Sequence, residues 1–150
     1  MKKIIIISVI LLLSATTGYS FFGSKYEKLN PSAGVVKIPL SSINDGNAHY
    51  YQVKSVNNID TKFFVLKSSD GIFRAALDAC DVCYRSGKGY TKSGNYMVCN
   101  SCGQKFLSTR INVIKGGCNP APLNRINDGK SLIIKMSDIN SNDWYSKYQD

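Results

Sequence analysis

Five cysteines constrain this chain more than any other feature. They stand at Cys80, Cys83, Cys99, Cys102 and Cys118, a spacing of C-x2-C-x15-C-x2-C-x15-C. Two C-x2-C pairs about fifteen residues apart read as a four-cysteine metal site. A C-x-x-C turn lets two thiolates and neighbouring backbone amides converge on one ion. Two such turns complete a tetrahedron, with metal–sulfur distances of about 2.3 Å for zinc. Gly103 follows Cys102, where a tight thiolate-binding turn often needs positive φ. Gly87, Gly89 and Gly94 supply a turned connection between the pairs, and Tyr84 follows Cys83 where a glycine would suit the first turn better. Cys118 sits in Gly116-Gly117-Cys118-Asn119-Pro120, a sharply shaped loop. As an odd cysteine it reads as a free thiol, a fifth ligand or a substitute for one of the four, and its constrained context favours a place near the metal site. The plainer alternative is a small buried residue under a turn.

Other cysteine chemistries fit less well. Structural disulfides are open to an exported chain, but directly bonded C-x-x-C pairs are usually redox-active. A thioredoxin-like unit needs a long helix after the motif, and no such periodicity is evident. Covalent c-type haem needs His after the second cysteine, and Tyr84 and Gly103 stand there. The clustered cysteine run of bacterial ferredoxins is also missing. The chain has one His, and its ten acidic residues include a single Glu, which leaves little for His-rich metal sites or His-dependent nucleophiles.

Around the cysteines, Asp78 and Asp81 flank Cys80. They read as oxygen ligands or tuning groups for iron, or as turn and capping residues. Arg74 and Arg85 read as counter-charges to thiolate, or as a solvated basic face. His49, the lone imidazole, reads as a packed or surface residue rather than a ligand.

The N-terminus reads as an address. Met1-Lys2-Lys3 precedes the apolar run Ile4 to Leu13 and the small-residue stretch Ser14 to Ser20. That pattern describes a secretory signal peptide. The alternative is an uncleaved membrane anchor, since residues 4–22 carry no charge and a span needs about 20 apolar residues. Either way the rest of the chain is expected to be exported, periplasmic or held at the outer face of the inner membrane. The formal charge is +9, and residues 74–130 hold nine basic against three acidic residues. Export argues against nucleic acid as the partner, and the patch suits anionic membrane surfaces or acidic proteins.

From Val35 the pattern is β. Val35 to Ile38, His49 to Val53, Tyr96 to Val98, Arg110 to Ile114 and Ser131 to Met136 read as strands. Lys62 to Lys67 and Ile72 to Ala75 read as a hairpin closed by Asp70-Gly71. Arg74 to Asp78 could continue the strand or turn helical. The expected fold is mostly β, a β-rich α+β single domain with a cysteine-rich, metal-binding insert between strands. The expected boundaries are 1–20 signal or anchor, 21–34 linker, 35–136 domain and 137–150 polar tail, in which Trp144, Tyr145 and Tyr148 are edge anchors.

Arg74-Ala75-Ala76-Leu77-Asp78-Ala79-Cys80-Asp81-Val82-Cys83-Tyr84, Gly89-Tyr90, Val98-Cys99-Asn100-Ser101-Cys102-Gly103 and Gly116-Gly117-Cys118-Asn119-Pro120 together resemble the FtrD-like family, described as membrane iron–sulfur containing proteins. The resemblance runs over about residues 35–136, with Asp45-Gly46 and His49-Tyr50-Tyr51 at its start. It implies a place in bacterial iron uptake beside components of an iron-permease system, with cysteines that bind iron or an iron–sulfur cluster and pass electrons. The resulting expectation is an electron-transfer or metal-binding protein rather than a catalyst. The alternatives are a structural zinc module with a protein-interaction role and an exported thiol–disulfide oxidoreductase.

Overall fold

The computed structural model describes residues 23–149, so the proposed signal or anchor segment lies outside the described residues. Three small sheets make up a mostly β domain. The largest runs β1 (Glu27–Lys28), β3 (His49–Lys54), β4 (Asp60–Lys67), β5 (Phe73–Leu77), with β1 parallel to β3 and the other pairs antiparallel. The second runs β2 (Val35–Pro39), β10 (Ser131–Lys135), β9 (Ile126–Asn127). The third runs β6 (Tyr90–Ser93), β7 (Tyr96–Cys99), β8 (Lys105–Leu107), all antiparallel.

Strand β4 organises the molecule. Thr61 to Leu66 are buried without a break, because this strand is covered on both faces. Side chains alternate across a strand. Phe63 and Val65 therefore enter one core with Val36, Ile38, Leu132 and Ile134 of the second sheet. Phe64 and Leu66 enter another with Tyr90, Met97, Cys80 and Cys99. The cysteine-bearing insert is thus the cover of one face of the main sheet. Each fully buried Phe of this strand contributes roughly 1.5–3 kcal/mol of transfer free energy.

The β4–β5 hairpin closes through Ser68 to Gly71, where Gly71 N–H donates to Ser68 C=O at 2.8 Å. Arg74 to Leu77 continue as strand, which settles the open choice there.

The strand expected over Arg110 to Ile114 does not form. A 3-10 turn covers Ser108–Arg110 and irregular turns follow. Asn112 adopts φ 65°, outside the strand region. Its side-chain amide takes over a strand's pairing: Nδ2 donates to Ala75 O at 2.8 Å, and Oδ1 accepts from Ala75 N at 3.2 Å. The edge of β5 is further covered by residues 121–123, since Leu77 N donates to Ala121 O and Leu123 N to Ala75 O.

The segment read as a linker carries β1, and Lys25 and Tyr26 reach the interior carboxylate of Asp78. The segment read as a polar tail begins with the helix α1 (Met136–Ser141) and continues in a 3-10 turn over Asp143–Ser146. Ile139, Tyr145 and Ser146 are buried against the sheet, and Lys62 N donates to Ser146 Oγ at 2.9 Å. Among the described residues no helix is long and apolar enough to cross a membrane.

Candidate metal centre

The five thiols converge, although they arise from three separate stretches of chain. Cys80 follows the end of β5, Cys83 lies in the turn after it, Cys99 ends β7, Cys102 lies in the turn towards β8, and Cys118 sits in the glycine-led loop. Within the sets Cys80/Cys83/Cys99 and Cys83/Cys102/Cys118, all sulfurs lie within 4.8 Å of one another. All five are free thiols, and Cys83 Sγ is 3.9 Å from Cys118 Sγ.

Local backbone geometry explains the convergence. Tyr84 N donates to Cys80 O at 3.1 Å and Gly103 N to Cys99 O at 2.8 Å, so each C-x-x-C pair closes a turn. Gly103 takes φ 75°, as its position in the second turn requires. Cys83 N–H points at Cys80 Sγ, 3.2 Å away. The backbone N–H groups of Ser101 and Cys102 serve Cys99, and that of Gln104 serves Cys102. Amides aimed at sulfur stabilise thiolate.

The thiols differ in character. Cys80 and Cys99 are buried, Cys83 and Cys118 half-buried and Cys102 exposed. Removal from water pushes the Cys83 and Cys99 thiols up, and Cys118 up to about 11. The Gln104 amide, the largest influence on Cys102, lowers that thiol. A divalent cation is the natural counter-charge to such a cluster, because it favours the deprotonated form that burial penalises.

The surroundings hold the cluster in place. Cys118 is tied down twice: Tyr90 Oη donates to its carbonyl at 2.5 Å, and Ala121 N to Ala79 O at 2.9 Å. Tyr90 is buried, and desolvation together with the adjacent Cys80 raises its phenol above the ordinary range. Asp78 is fully buried behind Cys80. Its carboxylate accepts from Lys25 Nζ (2.6 Å), Tyr26 Oη (2.6 Å) and Tyr90 N (2.7 Å). Gly89 passes so close to this carboxylate that an added Cβ would lie 2.4 Å from Asp78 Oδ2, which explains glycine there.

Of the other candidates, Asp78 and Asp81 fall outside both thiol sets. Asp78 organises the scaffold behind Cys80, and Asp81 accepts from Tyr145 Oη. Arg74 is buried with Asp70, Ser68 and the Ile111 carbonyl rather than with sulfur. Arg85 lies on the Tyr84 ring. His49 bonds Asp45 at 2.8 Å, outside both thiol sets. Tyr90, Ser101, Lys25 and Tyr26 are contributors that residue-type reasoning does not single out. For Tyr90 the only signal was its place in the Gly89-Tyr90 motif, and for Ser101 its place inside the second C-x-x-C.

The family model described as "Membrane iron-sulfur containing protein FtrD-like" matches residues 43–145, more than half of the chain. The chain belongs to the FtrD-like family. Its family is thus described as iron–sulfur containing, and its cysteines form groups able to hold a metal ion. No curated protein matches it. Among solved structures, the crystal structure of the quaternary ammonium Rieske monooxygenase CntA in complex with an inhibitor is similar at 15% identity and a TM-score of 0.44. The match covers 67% of this chain and 30% of that one, a likeness too distant to carry an argument.

Proposed function

We propose that this FtrD-like protein holds iron, as an ion or an iron–sulfur cluster, on Cys80, Cys83, Cys99, Cys102 and Cys118. We further propose that it serves as an exported redox or iron-handling accessory of a bacterial iron-uptake system. The observation that carries this reading is the convergence of all five thiols in a chain whose family is described as iron–sulfur containing. The donor set fits: sulfur-rich shells select iron–sulfur centres, zinc or copper(I) over hard-oxygen metals.

When bound, iron in a thiolate shell supplies one-electron ferric–ferrous chemistry, with a potential set by hydrogen bonds to sulfur and by solvent exposure. The chain's part is to set those conditions. Cys83 N–H and the Ser101 and Cys102 amides bear on Cys80 and Cys99. Burial keeps water from these two sulfurs, while exposed Cys102 and exposed Val82 present the other side of the site to a partner. The basic stretch around the cysteines suits an acidic partner or an anionic membrane surface, consistent with a place beside an iron permease.

The test is elemental analysis, a visible spectrum and voltammetry on untagged protein exported natively. Iron with thiolate charge-transfer bands and a reversible wave is expected. A colourless, redox-silent zinc protein overturns the reading and makes the cysteines scaffolding. One observation favours a second reading, exported thiol–disulfide exchange: Cys102 is exposed with a lowered thiol pKa, and Cys83 and Cys118 lie 3.9 Å apart. Bridged cysteines without metal in the exported protein would establish it.

A further inference from the structure

We propose that the thiol cluster provides two metal positions that share Cys83. The inner one is built by Cys80, Cys83 and Cys99, the outer one by Cys83, Cys102 and Cys118. The inference rests on the reading that these thiols bind metal, taken there as separate ions joined by a cysteine sulfur rather than as a cluster bridged by inorganic sulfide.

Geometry carries the argument. Two sulfurs bound to one ion at about 2.3 Å can be no more than about 4.6 Å apart. Each triad meets a limit close to this, 4.8 Å between every pair, but the five sulfurs form two sets rather than one. A single ion therefore reaches one triad and leaves part of the other unused. Cys83 belongs to both sets, and a thiolate sulfur has lone pairs enough to bridge two ions.

The two triads also have different environments. The inner one has two buried sulfurs, each following or ending a strand of a sheet. The outer one has exposed Cys102 and two half-buried members, all on turns. Cys118 is placed rather than adventitious, since Tyr90 and the Ala121–Ala79 bond fix its loop against β5. The inner position, with two of its three sulfurs buried, holds its ion more tightly. The outer one is open, and exchanges its ion with a chelator or a soft ligand from a partner.

The experiment is a titration of cobalt(II) into the reduced, metal-free full chain, read by sulfur-to-cobalt absorption, native mass and electron paramagnetic resonance. Two cobalt ions per chain are expected. The resonance should grow over the first equivalent and collapse over the second, because a shared sulfur couples the two spins. A chelator should withdraw one ion at least tenfold faster than the other. Cys118→Ala should bind one cobalt and keep the uncoupled signal. Cys102→Ser, at an exposed position, gives the same reading if the first variant does not fold. A stoichiometry of one in the natural sequence, loss of both ions in Cys118→Ala and Cys102→Ser, or additive signals from two ions would each overturn the proposal. Two coupled cobalt ions in a protein isolated with colourless zinc would uphold it while overturning the iron reading.

Discussion

At the scale of single residues, Asp70 and Arg74 form a pair remote from the thiols. Arg74 is buried, and its guanidinium donates to Asp70 Oδ2 at 2.6 Å, Ser68 Oγ at 2.8 Å and Ile111 O at 2.7 Å. The Ser68 hydroxyl first, then Arg74, holds the Asp70 carboxyl at about 2, below the ordinary value of about 3.9. A carboxylate depressed in the folded state stabilises fully above its unfolded pKa, and that contribution fades as pH falls through its folded one. Urea midpoints should therefore decline between about pH 4 and pH 2. The decline should be shallower in Asp70→Asn. Identical pH profiles for the two proteins would show that the pair has no such role. The same residues show how far local reading reaches. An Asp-Gly turn beside an Arg is visible in the sequence, but that Arg74 faces Asp70 and not sulfur depends on which face of β5 it occupies.

At the scale of elements, the instructive case is residues 110–114. Their apolar content suggests a strand, but the chain places Ile111 inward, leaves Val113 and Ile114 exposed, and turns at Asn112. Asn112 then bonds both backbone groups of Ala75 and the Leu123 carbonyl through its side chain. This staple holds the segments on either side of the Cys118 loop against the strand that leads to Cys80. Asn112→Ala removes three hydrogen bonds from a partly buried site, and each unsatisfied group left behind costs about 1–3 kcal/mol. A loss of about 3 kcal/mol in urea unfolding is expected, together with weaker cobalt binding as the Cys118 loop loosens. A loss below about 0.5 kcal/mol, the range of neutral surface changes, would mean that the staple is dispensable. Strands β4 and β5 are legible because a run of aromatic and β-branched residues and a turn dipeptide are local signals. The short strands β1 and β9 were not, since two residues carry no periodicity.

At the scale of the whole molecule, the thiol insert covers one face of the main sheet, so metal and fold should be thermodynamically linked. An ion that binds the native state at a free concentration of about 1,000 times its Kd adds about 4 kcal/mol. For a domain of this size that corresponds to roughly 15 °C in Tm. Chelation under reducing conditions should lower the melting temperature by about that amount, with recovery on adding the metal back. A melting temperature indifferent to chelation would separate the cluster from the core. The C-terminal residues bear on this linkage too: Gln149 Nε2 donates to the Asp78 carbonyl, and Ser146 Oγ accepts from the Lys62 amide of β4. A polar stretch of sequence does not reveal such contacts, because they depend on partners more than seventy residues away.

The sequence by itself determined the mostly β class, the central hairpin and the two C-x-x-C turns. Each of these is set by residues within a few positions of one another, through runs of β-forming residues, turn chemistry and backbone amides aimed at a nearby sulfur. Only the tertiary structure decided which side of the sheet the cysteines cover, that Asp78 lies buried behind Cys80 with Lys25 and Tyr26, and that five thiols divide into two triads around Cys83. Those outcomes join segments far apart along the chain. The distance from Cys83 to Cys118 is set by how β5 is stapled at its edge, and no spacing rule contains that.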